Sequence, residues 1–196
     1  MRKKLKLVYG WGINDADYAV QPVVNGKQVS CAYYSTWHSV VRRCYSEKSQ
    51  IRHPTYRGCS ISDSWKQFMT FREWMITQDW EGKSLDKDIM IVGNREYGPN
   101  ACLFVSRQVN NLLNDCKGTR GEFPIGVSFD KESGRYKASC CIDGKNKNLG
   151  RFDCPNQAHL VYRAFKRELI LSVAYAQSDN RIRDGLLLHA SLLEAV

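Results

Sequence analysis

The sequence lacks a long hydrophobic run, an internal repeat, a low-complexity tract and any CxxC pair. No stretch approaches the roughly 18 apolar residues of a membrane-spanning helix, so we expect no membrane partner. The basic start, MRKKLKLVYGWG, leads into only a short apolar stretch without a small-residue cleavage site. We therefore expect no secretory signal and predict a cytoplasmic protein.

The cysteine content is high for such a chain, because 8 of its 196 residues are cysteine. In a reducing compartment these thiols are predicted to be free. Cys44, Cys59 and Cys102 are conceivable zinc ligands, but their spacing is unlike that of a zinc knuckle, so zinc is not expected. We interpret the cysteines as small buried hydrophobic residues, with Cys140 and Cys141 on opposite faces of a strand.

The charge balance is positive, with 29 Lys and Arg against 20 Asp and Glu, a formal net charge of +9. Hydrophobic residues make up 43% of the chain and aromatic residues 11%, which is enough for a packed core and excludes disorder throughout. Solubility alone could explain the positive charge. A polyanionic partner is the sharper interpretation, and nucleic acid is the polyanion we favour.

Two helices are predicted in the first part of the chain. Apolar residues at helical spacing predict one over Ala32–Tyr45, with two arginines near its C-terminal end, where cations suit the helix dipole. The same spacing predicts a second helix over Ser64–Trp74, capped by Asp63 or Ser64. We interpret the aromatic residues of both helices as core.

A strand and a strand-to-helix segment follow these helices. Leu85–Val92 has the composition of a strand, and GNREYGPN after it has turn chemistry. Ala101–Leu113 begins extended and ends helical. We assign residues 1–118 to one unit, and the stretch KGTRGEFP, which spans this boundary, is typical of a linker.

The second unit, 119–172, is predicted as a small α+β domain. Pro155–Leu171 has a proline at its start and one apolar face, which predicts a helix. The tail, 173–196, contains the apolar run GLLLHASLLEAV, which is expected to dock as a helix or to form a partner surface. Three alternating segments joined by hairpin turns complete the unit as antiparallel strands, namely Gly126–Asp130, Arg135–Ile142 and Lys147–Phe152.

The stretch IGVSFDKESGRYKASCCIDGKNKNLGRFDCPNQAHLVYRAF resembles the plant ethylene-response-factor type (Apetala2-like) DNA-binding domain. The shared parts are a Gly-Val strand, a Gly-Arg-aromatic second strand, Leu-Gly-x-Phe on the third and an Ala-containing helix; Tyr136 stands where the plant domains have Trp. In that family the three-stranded sheet lies in the major groove of DNA. The resemblance implies DNA contacts from Ser128, Lys131, Arg135, Lys137, Lys145, Lys147 and Arg151.

The blocks TWHSVVRRCY, YRGCSISDSWKQFMTFREWM and LDKDIMIVGNREYGPNACLFVSRQVNNLL are similar to phage HNH homing-endonuclease-like proteins. That resemblance implies a ββα finger holding Mg²⁺ or Mn²⁺, with Asp86 as one ligand and Asn110 or Asn111 as another. The general-base position is Lys87 instead of His, so Asp88 becomes an alternative base. The implied catalytic set is therefore Asp86, Lys87 and Asp88, in a site that is either rewired or inactive.

Together these patterns predict an α+β protein with an HNH-like ββα-finger unit, flanking helices and a C-terminal three-stranded antiparallel sheet packed on one helix. The expected function is that of a phage protein that binds double-stranded DNA in the bacterial cytoplasm and, if its site is active, cleaves it with a divalent metal. The alternative is a catalytically inactive interaction protein that binds and modulates a host factor.

Overall fold

The computed structural model describes residues 6–114 and 121–194, over which the chain is a mixed α+β protein. It divides into two compact units, Met1–Val105 and Ser106–Val196. The division falls before the predicted linker, so the short helix that follows Val105 belongs with the second unit. No helix in the described ranges is both long enough and apolar enough to cross a membrane.

In its described part, the first unit contains three helices and six short strands. Its helices are α1 (Ala32–Tyr45), α2 (Glu47–Arg52) and α3 (Phe68–Ile76). Its strands are β1 (Val23–Val24), β2 (Lys27–Gln28), β3 (Ser60–Ile61), β4 (Ser84–Asp86), β5 (Glu96–Tyr97) and β6 (Leu103–Val105). β1 pairs antiparallel with β2 and β4 antiparallel with β6, whereas β3 and β5 pair in parallel.

Helix α1 confirms the first predicted helix with its bounds. Its side chains Trp37, Val41 and Cys44 are buried at a spacing of three or four residues, which sets one face of the helix into the core. The indole Nε1 of Trp37 donates a 2.8 Å hydrogen bond to the carbonyl oxygen of Trp65, and Phe68 packs beside it. The aromatic residues of both predicted helices therefore form core, as expected.

The second predicted helix begins later than its sequence pattern indicated, and the predicted cap is wrong. Asp63–Trp65 forms a 3₁₀ turn, Gln67 is extended, and α3 starts only at Phe68. The cap comes from far away in the sequence, since Asp15 Oδ1 accepts a 2.9 Å hydrogen bond from the backbone N–H of Met69. Asp15 therefore accepts a hydrogen bond from the first turn of α3, where the side chain of the N-cap residue Gln67 makes none.

The second unit carries a three-stranded antiparallel sheet in the order β7-β8-β9, packed on a long helix. A further helix packs on α5 and buries Ile182, Leu186 and Ala190, so the described part of the apolar tail docks largely as a helix. The elements are α4 (Arg107–Leu112), β7 (Val127–Asp130), β8 (Arg135–Ile142), β9 (Lys145–Phe152), α5 (Pro155–Tyr175) and α6 (Asn180–Ser191).

Candidate nucleic-acid interface

The side chains of strand β8 show which face of the sheet packs against the helix and which face is outward. Ala138 and Cys140 are buried on the face that packs against α5. Since successive side chains of a strand alternate, Arg135 and Lys137 lie on the opposite, outer face. Cys141 is exposed and Cys140 buried, which confirms their predicted opposite orientation.

Strand pairing brings further polar residues onto the outer face. Lys137 lies directly opposite Ser128 on β7 and Arg151 on β9, and Arg135 lies opposite Asp130. Directly opposed residues in an antiparallel pair share a face. Four of the seven predicted DNA-contacting residues are therefore neighbours on the outer face, and Lys131 follows β7 as an exposed turn residue.

The other two predicted contact residues, Lys145 and Lys147, lie on the helix-facing side of the sheet. They pair with Ile142 and Cys140, because the ladder is shifted between Ala138 and Ser139. A one-residue shift moves every later side chain to the other face. The Nζ of Lys147 accordingly lies 4.8 Å from the ring centroid of Phe165 on α5.

Sequence reasoning missed the asparagines that this shift turns outward. Asn146 and Asn148 pair with Cys141 and Ser139 and are exposed. A glycine within the strand, Gly150, was the feature of the sequence that could have indicated the shift, because glycine in a strand often marks an irregularity. Its φ of +124° is a conformation that favours glycine. The side chain of Asn148 secures the irregularity, since its Oδ1 accepts a 3.1 Å hydrogen bond from the Gly150 N–H.

Both outer-face arginines are oriented by aspartates. Arg135 Nε donates to Asp153 Oδ1 at 2.8 Å, and Arg151 Nε donates to Asp130 Oδ2 at 2.6 Å. The bond from Arg151 lowers the pKa of Asp130 to about 2, so this carboxylate is ionised at neutral pH. Exposed ion pairs stabilise a fold only weakly, because water screens them, and a phosphate can compete for the same guanidinium.

The strand predicted over Leu85–Val92 is wrong beyond Asp86. The chain turns there because Asp86 Oδ1 accepts hydrogen bonds from the N–H groups of Asp88, at 2.8 Å, and of Ile89, at 2.7 Å. This Asx-type turn places the side chain of Ile89 in a fully buried position. Burial raises the pKa of Asp86, against the opposing effect of those two hydrogen bonds.

Lys87 is buried, with only 8% of its surface exposed, and it contacts oxygen acceptors. Its Nζ donates to the two carboxylate oxygens of Asp88, at 2.6 and 2.8 Å, and to the carbonyl oxygen of Asn94 at 2.5 Å. It also lies 5.9 Å from the ring centroid of Tyr97. The Nζ of Lys87 therefore has its hydrogen-bonding capacity used by groups of the same unit.

Asn94 holds the two ends of the segment 87–94 together by hydrogen bonds, and the sequence analysis did not single this residue out. Its Nδ2 donates to the carbonyl oxygens of Lys87, at 2.8 Å, and Glu96, at 2.7 Å, while its Oδ1 accepts from the Glu96 N–H at 3.0 Å. Lys87 and Asn94 thereby bond to each other's backbone. The turn residues GN in the sequence were the available signal.

The residues predicted as metal ligands belong to different units. Asp86 has one oxygen committed to two N–H groups, and Asn110 and Asn111 belong to α4 in the second unit. In the described ranges, no group of three or more His, Cys, Asp and Glu side chains converges. Binding of Mg²⁺ or Mn²⁺ therefore stays a prediction that rests on the sequence resemblance.

Seven cysteines, at the described positions, are free thiols. Burial raises the pKa of both Cys44 and Cys102 to about 12, so these two thiols stay protonated at neutral pH. Cys116, the eighth cysteine, lies outside the described residues.

Asp86→Ala is expected to destabilise the first unit by about 1–3 kcal/mol, because two N–H groups lose their acceptor. All five tryptophans lie between Trp11 and Trp80, so urea unfolding followed by tryptophan fluorescence measures this unit. The control, Asp86→Asn, keeps an acceptor oxygen and should lose less.

Wild type and Asp86→Ala should both leave supercoiled plasmid intact with Mg²⁺ or Mn²⁺. Nicking by the wild type alone would contradict the structural role.

No family model matches the chain, and comparisons with curated proteins and with solved structures likewise return no match. The function of the protein is therefore inferred from the geometry of its two units.

Proposed function

We propose that the protein binds duplex DNA through the outer face of its three-stranded sheet. The observation that carries this proposal is the grouping of Arg135, Lys137 and Arg151 on that face, away from α5. Strands about 4.8 Å apart give three strands a width of roughly 10 Å, which suits a major groove roughly 12 Å wide. The resemblance to the Apetala2-like domain supports the same surface.

The arginines are the residues best suited to read bases. Each of Arg135 and Arg151 is anchored through Nε, and a guanidinium binds the O6 and N7 acceptors of guanine through its outer nitrogens. Lys137, between them, and Lys131, in the adjoining turn, carry compact charges that suit phosphates. We therefore propose that the lysines position the protein on the DNA backbone and that the arginines recognise the base sequence.

For residues 85–113, the block of the HNH resemblance that contains Asp86 and Lys87, we propose a scaffold role without cleavage. Its support is local: Asp86 stabilises a turn, and Lys87 bonds to Asp88 and to Asn94. A phage origin and kinship with HNH homing-endonuclease-like proteins remain part of this proposal, since the sequence blocks match that pattern. In this proposal the segment stabilises the first unit, and the DNA contacts come from the three-stranded sheet of the second unit.

The affinity for duplex DNA is expected to fall steeply with salt. If Lys131 and Lys137 each neutralise one phosphate, a plot of log K against log salt should have a slope of about −1.8. Fluorescence anisotropy with a labelled duplex between about 50 and 200 mM salt measures this slope. An affinity that does not change over that range would contradict the proposal.

A further inference from the structure

A small polar pocket of about 300 Å³ lies along one side of α1 in the first unit. Five helix residues separated by one, three or four positions line it, so they occupy one face of the helix. Gln21 completes the lining from the segment before the helix. The helix residues are Tyr34, Ser35, His38, Ser39 and Arg42.

Every side chain of the lining can donate a hydrogen bond, and none of them is acidic. Arg42 supplies a permanent positive charge and is exposed, whereas Tyr34 is buried. The hydroxyls of Ser35 and Ser39 and the imidazole of His38 add further donor groups. A concave surface with many donors, a fixed cation and no carboxylate is complementary to an oxyanion.

We infer that this pocket binds a phosphate group. A phosphate presents several oxygens in a tetrahedral arrangement, so it can use more of the convergent donors than a planar carboxylate can. The phosphate belongs either to a DNA backbone or to a small free ligand. In the first case the inference rests on the proposed DNA binding and adds a backbone contact from the first unit.

His38 provides a spectroscopic reporter inside the pocket. Burial, and then the charge of Arg42, lower its pKa below the usual value of about 6.5, so the imidazole is neutral at pH 7. The groups that face it are Tyr9, with a ring centroid 5.2 Å away, Tyr34 at 5.6 Å, and Arg42. A bound phosphate would favour the imidazolium, so it should raise the pKa of His38 and bind more tightly as pH falls.

The test is an NMR pH titration of the histidine ring signals of the full chain in a phosphate-free buffer, without and with added inorganic phosphate. The chain has 4 histidines, and loss of one signal in His38→Gln identifies the relevant resonance. We expect phosphate to move the His38 titration to higher pH. Arg42→Met should raise the phosphate concentration needed by about tenfold, as for the loss of a charge-assisted hydrogen bond.

The matched control is Arg52→Met, which removes an exposed arginine of the same unit outside the pocket. It should respond like the wild type. A second variant, Ser35→Ala, removes a donor at an exposed position and should weaken the response without affecting folding. A phosphate effect that Arg42→Met leaves unchanged would overturn the inference.

A parallel titration with a short DNA duplex distinguishes the two sources of phosphate. A His38 shift with the duplex that Arg42→Met abolishes assigns the site to a DNA backbone phosphate. A shift with inorganic phosphate alone assigns it to a free ligand. No shift with either overturns the inference, while DNA binding through the sheet, measured by anisotropy, stands or fails separately.

Discussion

Replacing both Arg135 and Arg151 by alanine is expected to remove most of the affinity for duplex DNA. Each arginine lies on the outer face of the sheet, and a good bidentate base contact contributes about 1–3 kcal/mol. The double substitution should therefore cost roughly 2–6 kcal/mol if the two contacts are independent. Anisotropy with a labelled duplex at constant salt measures the loss, and each single variant should show part of it.

The matched controls remove the same sign of charge elsewhere. Lys145→Ala changes a residue of the same sheet on the helix-facing side, and Lys48→Ala changes an exposed residue of α2. Both should leave the affinity nearly unchanged. Losses as large as those of the arginine variants would show that total charge, and not the outer face, determines binding.

The parts of the fold that the sequence predicted well are those with a long periodic pattern. Helix α1 repeats its buried positions over four turns, and α5 begins at Pro155 as its composition indicates. The three strands of the second unit are long enough for alternation and hairpin turns to agree. Several residues then indicate the same structure, so one exception does not mislead.

The predictions that were wrong depend on one residue or on a distant one. Helix α3 receives its cap from Asp15, and β4 ends because one carboxylate oxygen of Asp86 accepts two backbone N–H groups. The composition of LDKDIMIV gives no sign of that turn. Likewise, a single extra residue in β9 moved Lys145 and Lys147 away from the face that strict alternation assigned to them.

The candidate catalytic set shows the same limit. A motif places Asp86, Lys87 and Asp88 at positions of interest, but their roles depend on what each side chain touches. Lys87 bonds to the carbonyl oxygen of Asn94 and lies near Tyr97. Both residues follow an irregular turn, and no sequence pattern predicts the path of the backbone through it. The sequence therefore singled out this lysine, and only the three-dimensional contacts show which groups it bonds to.

Gly126→Ala is expected to destabilise the second unit by about 2–5 kcal/mol, combining left-handed backbone strain with overpacking. Gly126 has a φ of +81°, and an added Cβ would lie 2.1 Å from the ring of Tyr162, which is buried. Its backbone cannot retreat freely, because its carbonyl oxygen accepts a 2.8 Å hydrogen bond from the Ser139 N–H. Thermal unfolding by circular dichroism should show a helical transition at markedly lower temperature.

Gly134→Ala separates strain from the clash, since Gly134 also has a positive φ, +67°, but nothing lies within 4 Å of its added Cβ. It should cost only about 1–2 kcal/mol. The second unit has no tryptophan, so tryptophan fluorescence should report little change in either variant while circular dichroism does. Equal losses in the two variants would mean that Tyr162 yields to the methyl group, and that close packing of the helix on Gly126 does not stabilise this unit.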